Sequence, residues 1–141
     1  MISSEDIEAF MEEVDKARKP PLTVPEMVEI FAETMRQEKN PAMSWALVTE
    51  EFLELQSEVE PEPGWLAIRN KENLLKEMAD LVYVLYGFAR SLDLPLDEAI
   101  RRVHQNNIDR CVWPDGSIKY REDGKVLRNP DAKAIDLSDL V

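Results

Sequence analysis

The chain has 141 residues, 44% of them apolar and 33% charged, with 29 acidic against 17 basic side chains and a formal charge of −12. This is the composition of one globular, soluble domain, and it excludes a disordered chain. The negative charge excludes a nucleic acid or an anionic membrane as a partner bound through phosphate neutralisation, and the lone Cys111 excludes an intrachain disulfide, which points to a reducing cytoplasm.

The acidic start MISSEDIEAF has no basic region followed by an apolar run, so it does not read as a signal peptide. Ser3 or Ser4 caps a first helix with Ile7, Phe10, Met11 and Val14 at helical spacing, ending near Arg18 before Pro20 and Pro21. Thr23 and Glu26 have capping-box spacing and open a second helix to about Gln37. Asn40 and Pro41 start a third that runs to about Glu58, where Pro61, Pro63 and Gly64 break it. A fourth is predicted from Trp65 to Ser91. Its second half, MADLVYVLYGFA, is apolar on nearly every side, too short to span a bilayer, and suited to burial against a partner subunit. After a turn at Asp93 to Pro95 a fifth helix covers Leu96 to Arg110, with Leu96, Ile100, Val103, His104, Asn107 and Cys111 on its inner face. Beyond it Asp123 and Gly124 mark a small hairpin or turn, and the last dozen residues read as an extended arm.

Two acidic clusters interrupt these apolar helices: Glu50, Glu51 and Glu54 in the third, Glu77 and Asp80 in the fourth. At about 100° per residue the first cluster flanks the stripe of Trp45, Val48, Phe52, Leu55 and Val59, and Asp80 falls among Leu74, Leu81, Val84 and Phe88. Lys76 and Arg90 are read as pointing away from that face. Unpaired carboxylates in such a setting are costly unless a cation neutralises them. If the two helices fold back on each other, the five acids form an all-oxygen site with no histidine or thiolate, suited to Mg²⁺ or Mn²⁺ rather than Zn²⁺. On the fifth helix, His104 reads as a hydrogen-bonded core residue, and Asn107 as an amide able to serve a substrate or a metal-bound water.

The pattern Glu50-Glu51-x-x-Glu54 followed by Glu77-x-x-Asp80, then ADLVYVLYGFA and VHQNNIDR, resembles the signature of the all-α nucleoside triphosphate pyrophosphohydrolases, the superfamily of MazG, dimeric dUTPases and phosphoribosyl-ATP pyrophosphohydrolase. The likeness covers about Trp45 to Arg128, and DGKVLRNPD is similar to the stretch after the last helix in that group. Asn106 and Arg110 stand where serine and lysine are usual. The resemblance implies hydrolysis between the α and β phosphates of a nucleotide, with Glu51, Glu54, Glu77 and Asp80 as metal ligands. Glu50, on an adjacent azimuth, is then the choice for the general base that takes a proton from water, or for a ligand of a second ion. Arg110, Lys125 and Arg128 are the cations expected to clamp phosphates, mostly on the tail likeness.

The expectation is therefore an all-α fold of about five helices, with a four-helix-bundle-like core of the MazG type completed by dimerisation and a short irregular C-terminal tail. Residues 1–141 form one domain: N-terminal helices over 1–40, a catalytic helical core over 41–110 and the tail over 111–141. The expected function is Mg²⁺-dependent pyrophosphohydrolysis of ribo- or deoxyribonucleoside triphosphates by a cytoplasmic homodimer or higher homo-oligomer. A second reading takes phosphoribosyl-ATP as substrate, set behind the first because of the extra N-terminal helices; a third is a non-catalytic helical dimer that binds metal or nucleotide.

Overall fold

The computed structural model describes residues 3–18 and 20–141. Four of its helices begin where a side chain takes up the free N–H groups of the first turn. Helix α1, Ser4–Ala17, and helix α2, Val24–Thr34, each open on a capping box, Ser3 with Asp6 and Thr23 with Glu26. Helix α3, Pro41–Ser57, is capped by Asn40, whose Oδ1 accepts from the Met43 N–H at 3.0 Å. Helix α4, Lys71–Ser91, is capped by Asn70, which accepts from the N–H groups of Glu72 and Asn73. Helix α5, Leu96–Cys111, follows Pro95 with no side-chain cap.

The fourth helix thus starts six residues later than the predicted Trp65. Trp65–Ile68 instead forms strand β2, paired antiparallel with strand β1, Val59–Glu62, in the register Val59 to Ile68 and Glu62 to Trp65. Pro63 and Gly64 make the connection, with Gly64 at φ 81°, a conformation glycine adopts without strain. The apolar run WLAI suits a strand, and the Asn70 cap a few residues on offers a better helix start. Apart from this hairpin and an isolated bridge between Tyr120 and Val126, the described residues are all-α.

The hairpin turns α4 back along α3, and this pair is the main packing contact in the chain. Trp45 meets Phe88 at a ring separation of 5.5 Å, while Glu51 is close to Asp80 and Glu54 to Glu77. Partners on α4 descend as those on α3 ascend, so the helices are antiparallel. Helix α2 lies across α4, joined by an edge-on contact of Phe31 with Tyr83 and by two hydrogen bonds from the Arg90 guanidinium to Glu29, at 2.5 and 3.2 Å. The core is small: Val28 and Ala32 of α2, Val48 of α3, and Ala89 and Ser91 of α4.

Helix α4 is not enclosed all round within one chain. Leu75, Met78, Val82 and Leu85, spaced along one stripe, stay exposed, as do Trp45 and Phe52 on α3 and Ile100 and Val103 on α5. Helix α1 contributes nothing to the core, and its apolar side chains Ile7, Phe10, Met11 and Val14 face solvent. None of the described helices is long and apolar enough to cross a membrane.

The tail folds back along α5. Asn129 N–H donates to the Arg110 carbonyl at 2.7 Å, Asn106 donates to the Lys133 carbonyl at 3.1 Å, and Arg102 grips Asp139 with two hydrogen bonds of 2.6 and 2.9 Å. The expected arm is therefore an anchored one, and it ends in a short 3₁₀ turn, Ser138–Leu140. The expected turn at Asp123 and Gly124 is present: Arg121 N–H donates to the Lys125 carbonyl at 2.8 Å, and Gly124 has φ 83°.

Candidate metal centre

On α3, Glu51 and Glu54 lie three residues apart; on α4, so do Glu77 and Asp80. The antiparallel crossing sets the two pairs against each other. Carboxylate oxygens of Glu51, Glu77 and Asp80 lie within 4.8 Å of one another, and among the described residues this is the group with the spacing to hold a metal ion. Glu77 is the most enclosed, with 12% of its side chain exposed. Glu54 is exposed but lies against Glu77. Glu50 is exposed, close to Glu54 and outside the three-carboxylate group.

Like charges set the electrostatics. Partial withdrawal from water pushes the Glu51 carboxyl above the ordinary glutamate range, and the carboxylates of Glu54, Asp80 and Glu77 push it further. Glu54 is raised by the same withdrawal and then by Glu77. One cation opposes this. Lys76 donates to Asp80 Oδ2 at 2.7 Å and to Glu77 Oε1 at 3.1 Å, which holds its ammonium above the ordinary lysine range. The reading that Lys76 points away from the acidic face is therefore corrected. Lys76 and Asp80 are an i, i+4 pair, about 40° apart around the helix, and a four-carbon arm spans that distance. That spacing is present in the sequence and was the signal for it.

One ammonium does not satisfy the centre. Glu51 Oε2 and Glu77 Oε2 are buried without any hydrogen-bond partner, a costly state for carboxylate oxygens. A compact divalent cation between the helices meets both needs, charge and coordination. The donors are all hard oxygens, as Mg²⁺ and Mn²⁺ prefer. The residues present fit such an ion.

The other residues singled out in the sequence do not join this cluster within one chain. Asn107 and His104 line a separate cavity of about 350 Å³ with Cys111, Ile118, Tyr120 and Val126, between α5 and the tail hairpin. Of the inner face expected of α5, only His104, Asn107 and Cys111 are turned to the tail; Leu96 lines a cavity with Leu85, Phe88 and Ala89 of α4, Ile100 and Val103 stay exposed, and His104, also exposed, is not the core residue expected. Arg110 has its carbonyl tied to Asn129, and its Nε is buried without a partner. Lys125 sits in the hairpin turn, its N–H donating to Asp123 Oδ1 at 3.2 Å, and Arg128 is exposed beyond it.

A family model described as phosphoribosyl-ATP pyrophosphohydrolase matches residues 23–107, more than half of the chain. The matched stretch runs from the α2 cap to Asn107 and contains all five acids and Lys76; α1, the last turn of α5 with Arg110, and the tail with Lys125 and Arg128 lie outside it. No curated protein matches the chain.

Proposed function

Because this chain belongs to the phosphoribosyl-ATP pyrophosphohydrolase family, hydrolases of phosphoric anhydrides within the MazG-like all-α superfamily, we propose that it cleaves the α–β anhydride of phosphoribosyl-ATP, releasing pyrophosphate. The observation that carries this reading is the Glu51, Glu77 and Asp80 cluster with its two unpartnered oxygens, inside the matched stretch. The family match favours this substrate over the general nucleoside triphosphates expected from the sequence. We take residues 41–110 as the catalytic core of a single domain.

Glu51, Glu54, Glu77 and Asp80 would hold one or more Mg²⁺ or Mn²⁺ ions, which when bound would supply positive charge to offset the negative charge of the breaking anhydride. The chain's own work is to position and to move a proton. Glu50, exposed beside the cluster, accepts the proton of the attacking water. The water oxygen bonds to phosphorus as the bridging P–O bond breaks, and its electron pair leaves with pyrophosphate. The cavity between α2, α3 and α4, about 120 Å³ and lined by Phe31, Ser44, Leu47, Tyr83, Val84 and Arg90, is the place for part of the nucleoside. Leu47 and Val84 stand one helical turn from Glu51 and Asp80.

The uncovered stripe on α4 supports a homodimer. Leu75, Met78, Val82 and Leu85 offer a second copy a continuous apolar surface, which in water favours burial. In such a dimer the α5 and tail residues of one subunit are free to approach the acids of the other, where Asn107, Arg110, Lys125 and Arg128 would bind substrate.

Pyrophosphate release from phosphoribosyl-ATP, ATP and a panel of deoxynucleotides, with Mg²⁺, with Mn²⁺ and with chelator, tests the reading. Metal-dependent release with a kcat/KM for phosphoribosyl-ATP at least about tenfold above any triphosphate supports it. Preference for a triphosphate restores the general reading, and release from none leaves a binding role.

A further inference from the structure

The Lys76 ammonium meets Asp80 Oδ2 at 2.7 Å and Glu77 Oε1 at 3.1 Å, and both acids belong to the three-carboxylate group. A bound divalent ion would draw on the same two carboxylates. The lysine comes from the rim: its side chain is 63% exposed, against 12% for Glu77 and 41% for Asp80. It is also anchored on the same helix as both partners, so its grip does not depend on how closely α3 approaches. The deeper oxygens, Glu51 Oε2 and Glu77 Oε2, receive no hydrogen bond from it or from any other donor. Four carboxylates therefore share one positive charge, supplied by a flexible arm with open solvent to retreat into.

We infer that Lys76 is a competing cation built into the centre. Without a divalent ion it draws Asp80 and Glu77 together and offsets their repulsion. When an ion enters, the ammonium must give up Asp80 or stand beside a second positive charge, and either course weakens the ion's binding. Lys76 thus sets the affinity of the centre low and keeps the metal-free helix pair together. The inference rests on the reading of the cluster as a divalent site.

Mn²⁺ binding to the full chain, titrated calorimetrically without nucleotide, tests it in the wild type, Lys76→Met, Lys76→Gln, Lys76→Arg and Asp80→Asn. The two uncharged variants should bind Mn²⁺ about tenfold or more tightly than wild type and melt at a lower temperature in EDTA, because the repulsion among the acids is then unopposed. Lys76→Arg keeps the charge and should stay near wild type in both measurements. Mn²⁺ affinity that is unchanged or weaker in both uncharged variants overturns the competition while leaving the metal site standing. Binding seen only when Lys76 is neutralised supports it. If no variant binds Mn²⁺ in a manner lost in Asp80→Asn, the metal centre itself fails, and the competition with it.

Discussion

Glu51 on α3 and Glu77 on α4 approach within 4.8 Å, and each keeps one buried carboxylate oxygen, Oε2, that no donor reaches. Two buried carboxylate oxygens without partners destabilise a fold unless something else at the site repays them. The helix pair is held by contacts further along, such as Trp45 with Phe88, and these oppose the repulsion. The acids are therefore expected to matter more for chemistry than for folding.

Glu77→Gln should accordingly lower metal-dependent pyrophosphate release by about a hundredfold or more, since a ligand charge at the most enclosed position is lost. The same change removes like-charge repulsion, so melting in EDTA should occur at the same temperature or higher. Wild-type turnover at saturating Mg²⁺ would remove Glu77 from the centre, and a collapse of melting temperature would give it a structural role instead.

The metal-free protein should lose stability as pH rises from the ordinary glutamate pKa toward neutrality. Glu51 and Glu54 have raised pKa values in the folded chain, first through withdrawal from water and then through neighbouring carboxylates. Such groups bind protons more tightly folded than unfolded, so their favourable contribution is complete below the unfolded pKa and disappears as pH passes the folded one. Below that window the sign reverses. Glu26, Glu29, Glu98 and Asp139, all lowered by hydrogen bonds, then lose their stabilising charge. Melting in EDTA should therefore peak at mildly acidic pH, and Glu54→Gln should flatten the alkaline side of the peak. A profile that rises steadily to pH 8 would contradict this.

Light scattering at micromolar concentration should give a mass of at least twice the chain's. Val82→Glu, which places a charge in the exposed α4 stripe, should shift the protein toward monomer while leaving its helical circular dichroism intact. A wild-type protein that is monomeric and fully active would require another account of the stripe.

Glu50→Gln should reduce kcat by about a hundredfold with little change in KM, because a general base acts on the transition state. Lys125→Ala and Arg128→Ala should instead raise KM, since a phosphate clamp contributes already in the ground state. If Glu50→Gln keeps its kcat while a tail variant abolishes turnover, the roles are reversed.

Local chemistry was legible in the sequence. Ser3, Thr23 and Asn40 mark helix starts because a cap acts on an N–H only a few residues ahead, and the Glu51, Glu54, Glu77 and Asp80 pairs share a face because helical spacing is local geometry. The Lys76–Asp80 pair is local as well, since its four-residue offset lies in the sequence. What the tertiary structure alone decided depends on distant segments. Whether Trp65–Ile68 would lengthen α4 or pair with Val59–Glu62 turned on a strand partner and on a competing cap at Asn70. That α5 would turn Asn107 toward the tail hairpin, and that Arg102 would hold Asp139 across 37 positions, followed from packing that no periodicity encodes. The unpartnered Oε2 atoms of Glu51 and Glu77 belong to the same class. Helical spacing put the acids on their faces, but only the antiparallel crossing of α3 and α4 brought them together and shut two of their oxygens away from water.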